Sequence, residues 1–246
     1  SVDFYKFLNR KAGKNVLLDL YNPTSGERWQ EVIKPVSLGA ESQILYKRWV
    51  ETRRAEVERL SGGKLGYVHV RSMNDASMRT VYEDALGKHI DAEALVVDTR
   101  FNGGGNLHDI LSDFLNGKKY MDIIPHGQYI GSQPGDKWTK PSIVVMGESN
   151  YSDAHLFPVA YKIKGVGKNL GMPVPGTGTC VWWEGQIDPT LLFGIPQVGV
   201  MDARGNYLEN QQLEPDIQVR ISPGTIATGR DEQLEVAVKE VMKELQ

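Results

Sequence analysis

The chain has 246 residues, 40% of them apolar and 24% charged, with a formal net charge of −3. That content suits an ordinary core in one large domain or slightly more. The faintly acidic balance argues against a nucleic-acid surface, and no apolar run approaches the ~20 residues of a membrane span.

A single cysteine, Cys180, excludes an intramolecular disulfide. It leaves the compartment open between cytoplasm and bacterial periplasm. The chain opens on Ser1 rather than Met and shows no signal peptide, so it reads as a processed or cloned fragment of a longer protein.

In chain order, Asp3 to Arg10 reads as a short helix capped by Asp3, with Phe4, Phe7 and Leu8 on one face. Val16 to Tyr21 and Trp29 to Val36 read as strands joined by the turn Asn22-Pro23-Thr24-Ser25-Gly26, the second an edge strand because of Pro35. Glu41 to Leu60 is the strongest helix, with Ile44, Leu45, Trp49, Val50 and Val57 on one side.

Strands at Leu65 to Val70, Ala94 to Thr99 and Ser142 to Met146 then alternate with helices at Asp75 to Leu86, Leu107 to Leu115 and from the Ser152 turn to about Lys162. That order predicts an α/β core with helices packed on a sheet. Residues 171 to 205, rich in Gly, Pro, Trp and Thr, read as hairpins and long loops. Ile217 to Ile221 reads as a short strand and Asp231 to Leu245 as a closing helix.

Two strand ends carry candidate chemistry. After Ser142 to Met146, the turn Gly147-Glu148-Ser149-Asn150-Tyr151-Ser152-Asp153-Ala154 holds two serines before a helix start. A side chain on such a turn is exposed, and the N–H groups of the new helix face developing negative charge. In isolation Ser152-Asp153 reads equally as a helix cap. After Ala94 to Thr99, the run Asn102-Gly103-Gly104-Gly105-Asn106 lets backbone N–H groups approach a ligand, and Gly104 or Gly105 could serve an oxyanion. A tight strand-to-helix connection is the plainer reading. A phosphate loop lacks its Lys and Ser/Thr. Asp98 and Arg100 either pair with each other or fix this loop.

A nucleophilic serine needs a proton acceptor, most often His. None of His69, His89, His108, His126 and His155 has a compelling position, although His108 follows the glycine run and can approach the site. No metal motif is present, and the chemistry calls for no cofactor. Glu209, in Tyr207-Leu208-Glu209-Asn210-Gln211, could orient a catalytic network, though alone it reads as a loop acid.

Taken together, five segments resemble the tricorn-type branch of the carboxy-terminal processing serine proteases. They are Leu65 to Val70, Val96 to Gly105, Asn150 to Ala154, Glu209 to Ile217 and Asp231 to Ala237. The resemblance implies a crotonase/ClpP-like ββα spiral core over residues 64–246. A linking helix at 39–63 and the C-terminal half of a PDZ-like domain at 1–38 would precede it. It implies Ser152 as nucleophile, Gly105 or Gly104 with Asp153 as the oxyanion hole, and Glu209 as a tetrad member. The family's catalytic His lies upstream, so the chain is expected to be inactive alone.

The implied substrate is a peptide or an unfolded chain, with no nucleic-acid partner. A homo-oligomer of the full-length protein stays open. Two rivals remain: a peptide-binding protein with a vestigial serine site, and an acyl-CoA enzyme of crotonase type.

Overall fold

The computed structural model describes residues 3–246. The chain divides into two compact units, Ser1–Thr52 and Arg53–Gln246.

In the first unit, a 3-10 turn spans Phe4–Leu8 rather than a full helix, with Asp3 accepting from the Tyr5 N–H. The antiparallel hairpin β1 (Val16–Tyr21) and β2 (Arg28–Ile33) pairs Val16 with Ile33 through to Tyr21 with Arg28. The Asn22 side chain closes its turn by accepting from the N–H groups of Thr24 and Ser25. β2 stops before Pro35, which lacks the N–H a longer ladder would need. Helix α1 (Leu38–Ser61) starts in this unit and ends in the second. Of its expected apolar side, Ile44 and Leu45 are exposed and Val57 is fully buried.

The second unit is built on a five-stranded parallel sheet. Its strands are β3 (Leu65–His69), β4 (Ala94–Asp98), β7 (Ser142–Met146), β8 (Lys168–Gly171) and β11 (Ile217–Gln218). Their order is β11-β8-β7-β4-β3. Every residue of β3, β4 and β7 is buried. That is the signature of parallel strands covered on both faces, and it explains their near-continuous apolar sequence. β11 is shorter than its apolar run, pairing with β8 only at Ile217 and Gln218.

Helices follow the central strands. α2 (Asp75–Tyr82) runs on as a π-helical turn to Lys88, α3 (His108–Leu115) follows β4, and α4 (Asp153–Ile163) follows β7. The core gathers Val97, Leu111, Phe114, Val144 and Phe157, all at 0% exposure. Tyr82 meets Phe114 edge-to-face at 4.9 Å. Between α3 and β7 lies a small hairpin, β5 (Met121–Ile123) with β6 (Gly131–Gln133). A second hairpin, β9 (Thr179–Gly185) with β10 (Leu192–Gly199), follows β8. After β11, a short helix α5 (Pro223–Ala227) precedes α6 (Glu232–Glu244). Asp231 caps α6 by accepting from the Leu234 N–H at 3.2 Å. Among the described residues no helix is long and apolar enough to cross a membrane.

The decisive feature for chemistry is adjacency. β4 pairs directly with β7, Asp98 opposite Val145. The loops leaving their carboxyl ends, the glycine run and the Ser152 turn, therefore emerge side by side. In parallel α/β sheets that edge is where ligands bind.

Candidate active site

The two loops are hydrogen-bonded to each other. The Tyr151 N–H donates to Asn102 O at 3.0 Å, and Asn150 Nδ2 donates to Thr99 Oγ1 at 2.9 Å. Asn102, fully buried, donates from Nδ2 to Val70 O and accepts the Gly104 N–H on Oδ1 at 2.9 Å. On the far side, Met73 N–H donates to Gly104 O at 2.9 Å and Asn106 N–H to Met73 O at 2.7 Å. The glycine run is thus anchored to the segment after β3 as well as to the Ser152 turn.

Glycine is required at two positions of this run. Gly104 has φ +94°, and a Cβ there would stand 2.7 Å from Tyr151 O and 3.1 Å from the Asp153 nitrogen. Gly105 has φ +144°, and a Cβ there would fall 2.0 Å from Met73 O.

Ser152 sits immediately before α4 with φ 55° and ψ −121°. A non-glycine residue in that region costs ~1–3 kcal/mol and persists only where its surroundings hold it. Here the Ser152 N–H donates to Thr177 Oγ1 at 2.9 Å, and Ser152 O accepts from the His155 N–H at 2.8 Å. Ser152 opens on a cavity of about 500 Å³, lined also by Gly103, Gly105, His108, Leu156 and Trp183. Ser149, the other serine of the turn, is exposed and does not line it.

Two backbone donors near Ser152 are unspent. The Asp153 N–H opens α4 and makes no hydrogen bond among the described residues, nor does the Gly105 N–H. The Gly104 N–H, by contrast, is given to Asn102.

The Asp153 carboxylate binds the other loop. Its Oδ2 accepts the N–H groups of Leu107 at 2.6 Å and His108 at 3.0 Å, and its Oδ1 meets His108 Nδ1 at 2.5 Å. That side-chain bond raises the His108 imidazole above its ordinary value, against an opposing effect of burial. Burial pushes the Asp153 carboxyl up, but the bonds from His108 and Leu107 outweigh it and hold the group below the ordinary carboxylate range.

Arg100 ties the same loop to the C-terminal helix. Its guanidinium donates to Asp98 from Nε and Nη2, and from Nη1 to Asp231 Oδ1 at 3.1 Å and Gln233 Oε1 at 2.9 Å. Burial opposes the charges of this cluster. The Asp98 contact nonetheless keeps Arg100 charged and the Asp98 carboxyl low. Tyr67 adds an O–H to Asp98 Oδ2 at 2.9 Å.

The remaining sequence candidates are dispersed. His155 is 1% exposed, and its Nδ1 would stand 2.9 Å from a Cβ at Gly178. His69 is buried against Arg100 O, and His126 is exposed beside the β5–β6 hairpin. No hydrogen bond joins Ser152 to an imidazole among the described residues. Glu209 is half-buried and does not line the Ser152 cavity. Its neighbour Asn210 donates its N–H to Gly176 O at 2.7 Å, one residue before Thr177. Among the described residues no three His, Cys, Asp or Glu gather as a metal site.

Thr177 and the Arg100–Asp231 link carry no local motif. Only the folded loops reveal them.

The family model "Peptidase family S41" matches residues 64–219. Tricorn protease homolog 1 of Streptomyces coelicolor is 33% identical over 92% of this chain and 21% of its own length. The tricorn protease of Thermoplasma acidophilum is 26% identical over 99% of this chain and 22% of its own. The chain therefore spans about a fifth of the length of these curated relatives. A crystal structure of the tricorn protease superposes with a TM-score of 0.84 at 24% identity, over 98% of this chain and 23% of that one, which shows a shared fold.

Proposed function

The chain belongs to peptidase family S41, and from that premise we propose that it holds the nucleophile and oxyanion half of a serine peptidase site. One observation carries the reading. Ser152 is held at positive φ on a cavity, with the unspent N–H of Asp153 next to it and that of Gly105 on the adjoining loop.

The chemistry follows from those groups. Ser152 Oγ attacks the carbonyl carbon of a peptide bond, giving up its proton to a base. The carbonyl π electrons move to oxygen, and the oxyanion takes hydrogen bonds from the N–H groups of Asp153 and Gly105. Such donors are each worth ~10²–10³ in rate. Collapse of this intermediate breaks the C–N bond, the amine leaves with the proton, and water hydrolyses the resulting ester. Gly104 serves by its missing side chain rather than by its N–H, already engaged by Asn102.

The base is assigned outside this chain on the family resemblance, and among the described residues no imidazole is hydrogen-bonded to Ser152. Glu209 is assigned to the same network as an orienting acid, on the family resemblance and on the contact of its loop with Gly176 beside Thr177. The isolated chain then has little or no peptidase activity. The substrate is an oligopeptide or an unfolded chain, one side chain of which enters the cavity.

For the architecture we adopt a crotonase/ClpP-like spiral core at 64–246, a linking helix at 39–63 and a partial PDZ-like segment at 1–38. Labelling the chain, joined to the upstream region that supplies the base, with a peptidyl boronate tests the site. The adduct is expected on Ser152, and an adduct on Ser149 or none at all would contradict the assignment.

A further inference from the structure

Asp153 acts twice in this site. Its backbone N–H lies at the start of α4 beside Ser152. Its side chain, 3% exposed as a whole residue, reaches across to the start of α3, the helix that the glycine run feeds. There it takes the N–H groups of Leu107 and His108 and the imidazole Nδ1 of His108. The first N–H groups of any helix lack partners within it, and Leu107 supplies no side-chain cap of its own. A carboxylate from a different helix fills that role. Bonds to an ionised acceptor are about twice as strong as neutral ones.

The consequence is geometric. Leu107 is two residues beyond Gly105. One residue therefore carries one of the two oxyanion donors on its own backbone and grips the chain just past the other. We propose that the Asp153 carboxylate, with His108, is a latch that sets the spacing between the Asp153 and Gly105 N–H groups. Asp153 and His108 are then positioning residues for the oxyanion. His108 makes no bond to Ser152, and its exposed edge forms part of the cavity wall. This inference rests on the nucleophile reading above. A plain helix cap would stabilise α3 without any effect on oxyanion binding, and this difference separates the two roles.

The test is the affinity of the chain, joined to the upstream region that supplies the base, for a peptidyl boronate, which forms a tetrahedral adduct with Ser152, compared with its affinity for the corresponding product peptide. Asp153→Asn keeps size and one acceptor. It is expected to weaken boronate binding ~10-fold or more while changing product-peptide binding less than about twofold, in line with the loss of an aligned oxyanion donor. His108→Asn keeps a donor at the Nδ1 position and is expected to stay within about threefold of the parent, whereas His108→Ala loses as much as Asp153→Asn. Thermal melts of all variants confirm folding.

Equal losses for boronate and product peptide, or unchanged boronate binding in Asp153→Asn, would overturn the latch while leaving the nucleophile intact. Equal losses in His108→Asn and His108→Ala would also overturn it, since a surviving Nδ1-type donor must preserve a latch. Unchanged boronate binding in Ser152→Ala, or none by the joined parent protein, would overturn the nucleophile reading itself.

Discussion

Gly104 lies directly against Ser152: an added Cβ at Gly104 would stand 2.8 Å from the Ser152 Cβ. Its φ of +94° also disfavours any L side chain. Gly104→Ala is therefore expected to cost ~1–3 kcal/mol in strain and to displace the Ser152 turn. Transition-state-analogue binding should fall by a factor on the order of 10². Gly103, with open space where its Cβ would be, is the control: Gly103→Ala should stay within ~0.5 kcal/mol of the parent. Paired thermal melts and boronate titrations read both effects.

Arg100 sits 4% exposed between Asp98 and Asp231. Arg100→Met leaves the buried Asp98 without its cation and Asp231 with Arg53 at 3.6 Å, and the expected destabilisation is ~3–5 kcal/mol. Chemical denaturation at neutral pH measures it. The cluster also gives acid sensitivity. The Asp98 carboxyl titrates below its unfolded value of 3.8. Its contribution is thus complete above the ordinary carboxylate range and disappears as pH falls through the lower folded value.

Thr177 holds Ser152 in its strained conformation by accepting its N–H. Thr177→Val keeps the shape and removes the acceptor. A stability loss of ~1–3 kcal/mol is expected if the N–H is left unpaired. Boronate affinity should fall with it, because the positive φ of Ser152 is then less well enforced. A Thr177→Ser variant should retain most of both.

His108 titrates above its ordinary 6.5, through Asp153 first and through Asp109, with burial and then Lys164 opposing. Its folded value is raised, so the pairing adds stability fully below the unfolded value and loses it as pH rises through the folded one. The stability gap between the parent and His108→Ala should accordingly be widest near pH 5 and shrink toward pH 8. Denaturation midpoints across that range measure it. A gap that widens with pH would contradict the Asp153 pairing.

What was legible in the sequence were elements whose signal is local. The apolar runs of β3, β4 and β7, the Asp231 cap of α6 and the positive-φ glycine run can be read from a few adjacent residues. β8 carries no strand signal, because Lys168, Asn169 and Gly171 do not look like a buried strand, although Asn169 is fully buried and gives its Nδ2 to Pro158 O. The β5–β6 hairpin is too short to show a period. Of the candidate site, the sequence offers Ser149 or Ser152 and Gly104 or Gly105 without choosing between them; in the fold Ser152 and Gly105 line one cavity that Ser149 does not. The bonds from Asp153 to α3 span about 45 residues of sequence, and Arg100 to Asp231 spans 131. No local pattern encodes partners brought together only by the pairing of β4 with β7 and the docking of α6.

The most direct measurement is hydrolysis of an unstructured peptide, for the chain alone and joined to the region that precedes it in tricorn-type proteases, each with a Ser152→Ala control. The account predicts cleavage only in the joined protein, reduced to background by Ser152→Ala. Cleavage that survives Ser152→Ala, or a folded joined protein that binds the peptide without cutting it, would contradict it.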